Sequence, residues 1–328
     1  MYNYVILNDG FNELGDMLFK DLENRDNTII INKKRVFSNI FIQKLFYLLF
    51  SFKVNNIVQI PLKRLFYKYI IKDFNNDSKT IYLLTSSWYF PSLIEYIKNA
   101  DKNNKVAFYF GDTVISKKRI IKNLDLEYLK RKCDFVGSYN PDDVKKYGLT
   151  YLPMCYSKFS NLDELPKYDD IDILFIGASR NRLETIVDTY KQIKELDLKT
   201  FYYVVSSESI TLDNNSSDFV CTDTPLSYRE YLGHVMSTKC ILEIVDPESR
   251  GGTLRFWDAV MYDKMLITNN DEVLKSKYYD SNSIIYTKDF DISYIDGAVL
   301  NNIISYKYNG DNSPVAFMNN IERYLEEL

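Results

Sequence analysis

The sequence predicts an α/β protein with two domains, each built on a parallel β-sheet that helices cover. Apolar runs of strand length alternate with amphipathic runs of helix length along the chain, which is typical of βαβ units. The chain has 328 residues, of which 46% are hydrophobic, and this length exceeds the usual size of one domain. The charge is divided as well, since residues 1–157 carry 24 Lys and Arg against 16 Asp and Glu, whereas residues 158–328 carry 17 against 29. A basic half joined to an acidic half indicates domains with different partners.

The first half contains the strands of one predicted sheet. They are expected at residues 2–10, 28–31, 80–87, 105–113 and 134–138. Helices are expected at 11–23, 88–100 and 142–147, and Gly148 suits the left-handed cap that ends the last of them. The polar, acidic segment 161–170, which Pro166 interrupts, is interpreted as the linker between the domains.

The second half repeats the alternation of strands and helices. The expected elements are a strand at 171–176, a loop at 177–182, a helix at 183–196, a strand at 201–207, a helix at 225–239 and strands on both sides of a glycine-containing loop. The predicted domains are therefore residues 1–158 and 168–313. A terminal helix at 314–328 is expected to pack back on the first domain.

The stretch from Ile241 to Asn270 combines features that suit phosphate binding. The apolar run ILEIV predicts a buried strand, the loop DPESRGG follows, and Thr253 can cap the helix TLRFWDAVMY. Free N–H groups and the helix dipole meet at such a helix N-terminus, and the planar fork of Arg255 fits phosphate oxygens. The alternative is an ordinary βαβ crossover with a glycine turn, since short motifs also match by chance.

Arginines are concentrated in the two predicted loops of the acidic half. Four of its six arginines lie there, namely Arg180, Arg182, Arg250 and Arg255. Such a cluster in a negative domain favours an anion such as a diphosphate, which bidentate donors and a helix N-terminus can hold together. The alternative is a set of surface ion pairs with neighbouring acidic residues.

The same stretch resembles the donor-site segment of bacterial GT-B glycosyltransferases. The residues that carry the resemblance are Glu248, then 251–255 (GGTLR), then Asp258 and Ala259, then 264–270 (KMLITNN), with a further likeness at 130–149. The resemblance is strongest to the branch that assembles capsule, lipopolysaccharide and other surface glycans and includes galactofuranosyltransferase-like proteins. That branch often has Gln before the glycine and Glu in the helix, where this chain has Ser249 or Arg250 and Asp258.

The resemblance implies two Rossmann-like domains facing a central cleft, with the acceptor on the first domain and a nucleotide-sugar, UDP-linked in our interpretation, on the second. It places Gly177 and its loop, including Ser179, Arg180 and Arg182, at the diphosphate. Glu248 is expected near the ribose or sugar hydroxyls, and Gly251, Gly252, Thr253 and Arg255 near the phosphates. Tyr228 is expected beside the base, although a tyrosine in such a helix also suits the core.

The sequence identifies the catalytic groups less closely than the donor-binding residues. GT-B enzymes generally hold the diphosphate without metal, and no DxD motif stands between a predicted strand and a turn, so we expect no cofactor or metal here. The single histidine, His234, excludes a site that needs two His ligands. An inverting transfer needs a carboxylate base, for which Asp9, Glu13 and Asp112 follow predicted strands of the first half. Each also suits a turn or a helix cap. The sequence is compatible with both retaining and inverting chemistry.

The first half contains a long basic segment without acidic residues. Residues 27–72 include nine Lys or Arg and no Asp or Glu, interleaved with aromatic and aliphatic side chains. Residues 33–72 therefore predict one or two basic amphipathic helices that lie on an anionic bilayer. The alternative is a core-packing helix pair with a solvated basic face. Nucleic acid is disfavoured because no recognition motif accompanies the charge.

Together these features predict a hexosyltransferase that extends a bacterial surface glycan on a glycan, lipid-linked or protein-linked acceptor. Two other classes remain open, a non-catalytic GT-B-like partner subunit and a nucleotide-sugar epimerase. The four cysteines show no CxxC pairing, which fits a reducing compartment. Because residues 1–7 read directly as a strand rather than a signal peptide, a cytoplasmic protein is expected, peripheral on the inner membrane face and able to form homo-oligomers.

Overall fold

The computed structural model describes two compact units. It covers residues 2–10, 13–58, 60–72, 74, 78–208, 217–245, 250–290, 292, 295 and 297–327. The first unit comprises Met1–Ser157 with Gly310–Leu328, and the second comprises Lys158–Asn309.

The first unit is built on a parallel sheet. Its described strands are β1 Asn3–Asn8, β2 Thr28–Asn32, β3 Thr80–Thr85, β4 Lys105–Phe110, β5 Phe135–Ser138 and β6 Thr150–Tyr151. They lie in the order β2-β1-β3-β4-β5-β6, and every pairing is parallel. All residues of β1 are buried, because helices cover both faces of the sheet. This explains why β1 reads as a continuous apolar run rather than as an alternating pattern.

Helices form a layer on each face of this sheet. The α-helices are α1 Glu13–Met17, α2 Ile40–Leu49, α3 Phe52–Asn55, α4 Arg64–Tyr67, α5 Pro91–Ala100, α6 Val114–Ile120, α7 Leu126–Lys132, α8 Pro141–Tyr147 and α12 Pro314–Glu326, and the single 3₁₀ turns are Lys20–Leu22, Lys33–Arg35, Pro61–Lys63 and Ser86–Trp88. Val5 and Leu7 face a core with Phe46, Tyr67 and Leu93. Tyr4 and Ile6 face the opposite core, to which the terminal helix contributes Phe317 and Ile321.

The second unit has a parallel sheet of its own. The described strands are β7 Ile171–Ala178, β8 Thr200–Val205, β9 Phe219–Thr222, β10 Thr238–Glu243, β11 Met265–Thr268 and β12 Ile284–Tyr286. Their order is β12-β11-β10-β7-β8-β9, again with parallel pairing throughout. The α-helices are α9 Leu183–Lys194, α10 Tyr228–Ser237 and α11 Leu254–Met261, and the 3₁₀ turns are Leu162–Glu164, Arg180–Arg182, Asp271–Lys275 and Val299–Asn301.

The predicted fold class of two parallel sheets with flanking helices is confirmed, and most differences lie at element ends. The helix expected at 225–239 is shorter, because Ser227 caps it with a capping box and Thr238 already begins β10. The helix predicted after the loop at 177–182 begins at Leu183 as expected. Gly148 adopts the left-handed conformation, with φ +62° and ψ +47°, that its cap position requires.

Two lysines of the basic segment are buried rather than presented to solvent. The Lys33 ammonium donates to the carbonyls of Phe50 and Ser87 at 3.0 and 2.8 Å, and burial lowers its pKa to about 8. Lys63 is 5% exposed and donates to the Asn55 side chain. Both ammonium groups lie over the Phe90 ring. These two charges therefore hold the helices of the segment together. The expectation that the cations of residues 33–72 lie on a bilayer is corrected for Lys33 and Lys63, because both are buried.

Within the described ranges, no helix is both long enough and apolar enough to cross a membrane.

Candidate active site

The strand order of the second unit creates a topological switch point between β7 and β10. From β7 the chain proceeds outward to β8 and β9, and it then returns to the other side of β7 as β10. Because the connections leave in opposite directions, a crevice opens outside the carboxyl ends of these two strands. Ligands of open α/β sheets bind at such crevices.

Two of the predicted donor-site arginines meet at this switch point. Arg182 donates from Nε and Nη2 to the Ala178 carbonyl at 3.3 and 3.0 Å, and from Nη1 to the Ile244 carbonyl. Arg255 donates from Nε to the Ile176 carbonyl at 3.0 Å and bonds the same oxygen through Nη2. Carbonyls at the ends of β7 and β10 thus fix both guanidinium planes. A guanidinium has five N–H groups, so the two hydrogen bonds to the Ile176 carbonyl leave donor capacity on Arg255.

Gly177 makes room for one of these arginines. A Cβ at this position would overlap the Arg255 guanidinium, which also lies over the Phe175 ring at 5.5 Å. The glycine is therefore needed for close packing of a side chain. The resemblance gave Gly177 a place facing the diphosphate, and the described contact gives it a steric reason to be glycine.

The glycine loop after β10 leads directly into α11. Gly251 has φ +96°, a conformation that glycine adopts at little cost. A Cβ at Gly252 would lie 2.8 Å from Nε1 of Trp257. Thr253 caps α11 as predicted, since its hydroxyl accepts from the Phe256 amide. The first turn of α11, which contains Arg255, therefore begins at the switch point.

Glu243 is a buried carboxylate at this site that the sequence analysis did not single out. It ends β10, is fully buried, and accepts hydrogen bonds from the hydroxyls of Thr253 and Thr268. Burial raises its pKa, while the two hydroxyls and the nearby Arg255 and Arg182 oppose that rise. The available signal was an acidic residue inside the apolar run ILEIV. Its role here is to hold the loop and the start of α11 against the sheet.

Asp258 joins α11 to α10 beneath the site. Its Oδ2 accepts from the Tyr231 hydroxyl at 2.5 Å, and the residue is 1% exposed. Burial raises its pKa to about 7, against the opposing effects of that hydrogen bond and of Arg255. Tyr228, the first residue of α10, is also buried and stacks near Tyr231 at 6.1 Å between ring centroids. Its expected place beside a base stays a prediction.

The remaining predicted donor residues are distributed around the switch point. Ser179 is buried and donates its amide to the Val205 carbonyl at 2.9 Å. Arg180 is exposed and has φ +43°. Arg250 lies 3.9 Å from Asp271 and lines a pocket of about 230 Å³ at the ends of β10, β11 and β12, to which Lys288 also contributes. Glu248 and Ser249 lie outside the described residues.

The first unit has its own switch point, between β1 and β3. A pocket of about 330 Å³ opens there, lined by residues that follow or end these strands, including Asp9 and Ser86, together with Tyr109 and Lys117. Asp9 has a buried oxygen, Oδ1, without a hydrogen-bond partner among the described residues. Burial raises its pKa, and the cations of Lys33 and Lys117 oppose the rise. An unsatisfied carboxylate oxygen at a pocket is suited to accept a proton from a hydroxyl.

The other two candidate bases differ from Asp9 in their surroundings. Asp112 accepts from the Thr113 amide at 2.8 Å and the Ser116 hydroxyl at 3.2 Å, and it pairs with Lys117 at 3.5 Å. These are the contacts of a residue that stabilises the start of α6. Glu13 is exposed at the first position of α1.

His234 is a packed residue rather than a surface one. Its ring stacks between Tyr168 and Phe201, with centroids 3.6 and 4.4 Å away, and burial lowers its pKa to about 4. In the part of the chain that the structure describes, no group of three or more His, Cys, Asp or Glu side chains is placed to hold a metal ion.

No family model matches the chain, and no curated protein matches it by sequence. Solved structures do match over almost the whole length. An alpha-glucosyltransferase in complex with UDP-glucose and DNA containing an abasic site superposes with a TM-score of 0.56, 12% identity and 99% coverage of both chains. An alpha,alpha-trehalose-phosphate synthase (UDP-forming) from Burkholderia vietnamiensis superposes with a TM-score of 0.53, at 8% identity and with 100% coverage of both chains. The glycotransferase of kitacinnamycin superposes with a TM-score of 0.52 at 8% identity. The match covers 99% of this chain and 100% of that one.

The chain has the GT-B fold. The chain resembles these solved structures in architecture only, because sequence identities of 8 to 12% show the fold and nothing further. The two Rossmann-like units of this GT-B chain correspond to its two parallel sheets, each with a switch point of its own. The galactofuranosyltransferase-like branch, suggested by the loop residues, stays a prediction.

Proposed function

We propose that this protein is a glycosyltransferase that transfers a sugar from a UDP-sugar to an acceptor. The observation that carries the proposal is the arginine pair Arg182 and Arg255, fixed at the switch point of the second unit beside the start of α11. The GT-B fold supports it, because solved structures with that architecture include an alpha-glucosyltransferase in complex with UDP-glucose, a glycotransferase and a UDP-forming trehalose-phosphate synthase.

The donor would be held by charge and by backbone amides together. Guanidinium groups bind phosphate oxygens through paired charge-assisted hydrogen bonds, and the first amides of a helix attract the same anions. Because both arginines are anchored by main-chain carbonyls, little side-chain entropy would be lost when they engage a diphosphate. The same donors would stabilise the UDP that leaves in the transition state. We therefore propose a donor site that works without a divalent metal.

The acceptor hydroxyl would be bound in the pocket of the first unit, and Asp9 is our candidate for the base of an inverting transfer. It is preferred to Asp112 because the Asp112 carboxylate already has three partners in its own helix start. The loop residues around Gly251 resemble those of enzymes that assemble surface glycans. This resemblance supports a surface glycan, on a lipid or protein carrier, as the acceptor class. Such an acceptor is presented at a membrane, where the basic segment 33–72 would hold the enzyme.

Calorimetric titration with UDP tests the donor site. Wild-type protein should bind UDP equally well with Mg²⁺ and with EDTA. Arg255→Ala should weaken binding by about 1.5–3 kcal/mol, since a charge-assisted contact is lost, and Arg255→Lys should recover only part of it because the fork is gone. Arg229→Ala is the matched control, because Arg229 lies on the surface of the same unit and pairs with Glu164. EDTA-sensitive binding, or an Arg255→Ala variant that folds and binds UDP like wild type, would contradict the proposed site.

A turnover assay with a panel of UDP-sugars separates the proposed function from its alternatives. Transfer should release UDP only with an acceptor, and Asp9→Asn should lose turnover by 10²-fold or more while keeping UDP affinity. Conversion of the donor to its epimer without acceptor would identify an epimerase instead. A chain that binds no nucleotide and copurifies with an active transferase would be a partner subunit.

A further inference from the structure

Exposed apolar side chains are concentrated on one part of the first unit. Among the described residues, ten of the seventeen large hydrophobic side chains that are exposed lie between positions 40 and 69. They are Ile40, Phe41, Ile42, Leu45, Leu48, Ile57, Val58, Leu62, Leu65 and Tyr69. Scattered apolar residues on a surface need no explanation, but a contiguous group indicates a surface that is covered in use.

Helix α2 shows why these side chains are exposed. Its inner face, with Gln43, Phe46 and Leu49, is buried on the sheet. Phe41, Leu45 and Leu48 follow the i, i+4, i+7 spacing of the opposite face, and Phe41 is 78% exposed. A helix that is apolar on both faces needs an apolar environment on each.

Contacts between segments join these residues into one surface. Phe46 of α2 packs against Phe66 of α4 with ring centroids 5.8 Å apart, so the two helices that carry most of these exposed side chains are adjacent. The Asn56 side chain donates to the Ile120 carbonyl at 2.8 Å and accepts from the Lys122 amide at 3.1 Å. The loop at 57–58 therefore adjoins the end of α6. We refer to the exposed side chains of α2, 57–58, 62–69 and 120–122 as the outer face.

Cations are interspersed on the outer face. The exposed ones are Lys44, Arg64, Lys68 and Lys122. No acidic residue occurs between positions 27 and 72. The whole chain carries a net charge of −4 and would be repelled by an anionic surface, so any attraction must come from this local concentration of positive charge.

We propose that the outer face docks the protein on an anionic lipid bilayer. The apolar side chains would enter the interface between headgroups and acyl chains, while the cations bind the headgroups. Charge complementarity favours lipid over a protein partner, because lysines are depleted at the centres of protein interfaces. The exposed leucines and isoleucines disfavour nucleic acid, whose backbone offers them no contact. Docking depends neither on nucleotide binding nor on catalysis.

Flotation with vesicles tests this surface. Wild-type protein should float with vesicles of phosphatidylcholine containing phosphatidylglycerol at low salt, and bind phosphatidylcholine alone much more weakly. Each cation near the surface contributes roughly fivefold to partitioning, and salt screens that contribution. Arg64→Glu with Lys68→Glu should therefore reduce binding at least twentyfold. Lys167→Glu with Lys191→Glu, at exposed positions of the second unit, makes the same change in net charge and should leave binding within about twofold of wild type.

The apolar contribution is tested separately. Phe41→Ser, Leu45→Ser and Leu48→Ser together should abolish the part of binding that persists at high salt, while UDP affinity and the urea midpoint stay within error of wild type. Wild-type protein that ignores anionic vesicles at low salt would overturn the proposal. Normal vesicle binding by the Arg64→Glu, Lys68→Glu variant or by the triple serine variant would overturn it as well. If the triple serine change converts a dimer to a monomer, the outer face instead binds a second copy of the chain.

Discussion

At the scale of single residues, the described part of the second unit includes two buried carboxylates with different surroundings. Glu243 accepts from two hydroxyls and lies near two guanidinium groups. Asp258 is also completely enclosed, and its Oδ2 accepts from the Tyr231 hydroxyl, with Arg255 as the nearby cation. Burying a carboxylate is costly unless hydrogen bonds and opposite charges replace its hydration. The pKa of Asp258 is raised to about 7, and this makes its ionisation a measurable contribution to stability.

We expect Asp258→Asn to change how stability depends on pH. The folded protein holds the Asp258 proton up to about pH 7, whereas the unfolded chain releases it near 3.8. Well below pH 3.8 both states are protonated, so the residue makes no difference there. As pH rises from about 4 to 7, wild type should lose up to about 4 kcal/mol of unfolding free energy through this group. The asparagine variant carries no ionisable group at position 258, so this position should cause no loss of unfolding free energy as pH rises.

Urea unfolding midpoints between pH 4 and 9 measure this difference. The other carboxyls with raised pKa values, such as Asp9 and Asp143, are present in both proteins and cancel in the comparison. The variant should therefore gain stability relative to wild type across the window from pH 4 to 7. Curves that stay parallel throughout would show that Asp258 has an ordinary pKa in the folded protein.

At the scale of elements, the start of α11 depends on one hydroxyl. Thr253 accepts from the Phe256 amide and donates to the Glu243 carboxylate. The helix therefore begins where the sheet holds it, and Arg255 enters its first turn with its guanidinium against the end of β7. A change at Thr253 should thus affect both the helix and the arginine.

Thr253→Val keeps the shape of the side chain and removes the hydroxyl. Loss of an N-cap costs about 0.5–2 kcal/mol, and loss of a donor to a buried carboxylate adds a further penalty of about 1–3 kcal/mol. We expect a total loss of roughly 2–4 kcal/mol in unfolding free energy, measured by urea titration. Thr253→Ser retains the hydroxyl and should recover most of this loss. Equal midpoints for the valine and serine variants would contradict the described cap.

At the scale of the whole molecule, the chain returns to its first unit after completing the second. Helix α12 belongs to the first unit, where Phe317 packs edge-on against Tyr109, with ring centroids 4.9 Å apart. The Glu322 carboxylate accepts from the Tyr4 hydroxyl at 2.6 Å. Tyr109 also lines the pocket that contains Asp9. The last residues of the chain therefore support the pocket formed by its first strands.

Phe317→Ala should destabilise the first unit in particular. Truncation of a phenylalanine that is 2% exposed costs about 3–5 kcal/mol. In hydrogen exchange followed by mass spectrometry, amides of β1 and β4 should lose protection, while those of β7 and β10 keep it. Asn319→Ala, an exposed position on the same helix, is the control and should leave both sets unchanged. Equal loss of protection in the two units would mean that they unfold as a single cooperative body.

The sequence by itself determined the features that depend on neighbouring residues. The apolar strands, the helix beginning after Thr253 and the left-handed cap at Gly148 agree with the structure, because propensity, capping and turn chemistry are local properties. The alternation of strands and helices was enough to predict parallel sheets, since short crossovers through helices permit little else. The arginines were singled out by their positions after strands.

Only the tertiary structure decided which of these residues meet. The switch point between β7 and β10 follows from a strand order that pairs Ile173 with Cys240, and no local pattern encodes a pairing between such distant positions. It is this pairing that brings Arg182 to the Ile244 carbonyl and encloses Glu243. Lys33 and Lys63 likewise looked like surface charges until the folded chain buried them against Phe90. Burial depends on what lies opposite a side chain in space, which its neighbours in sequence do not specify.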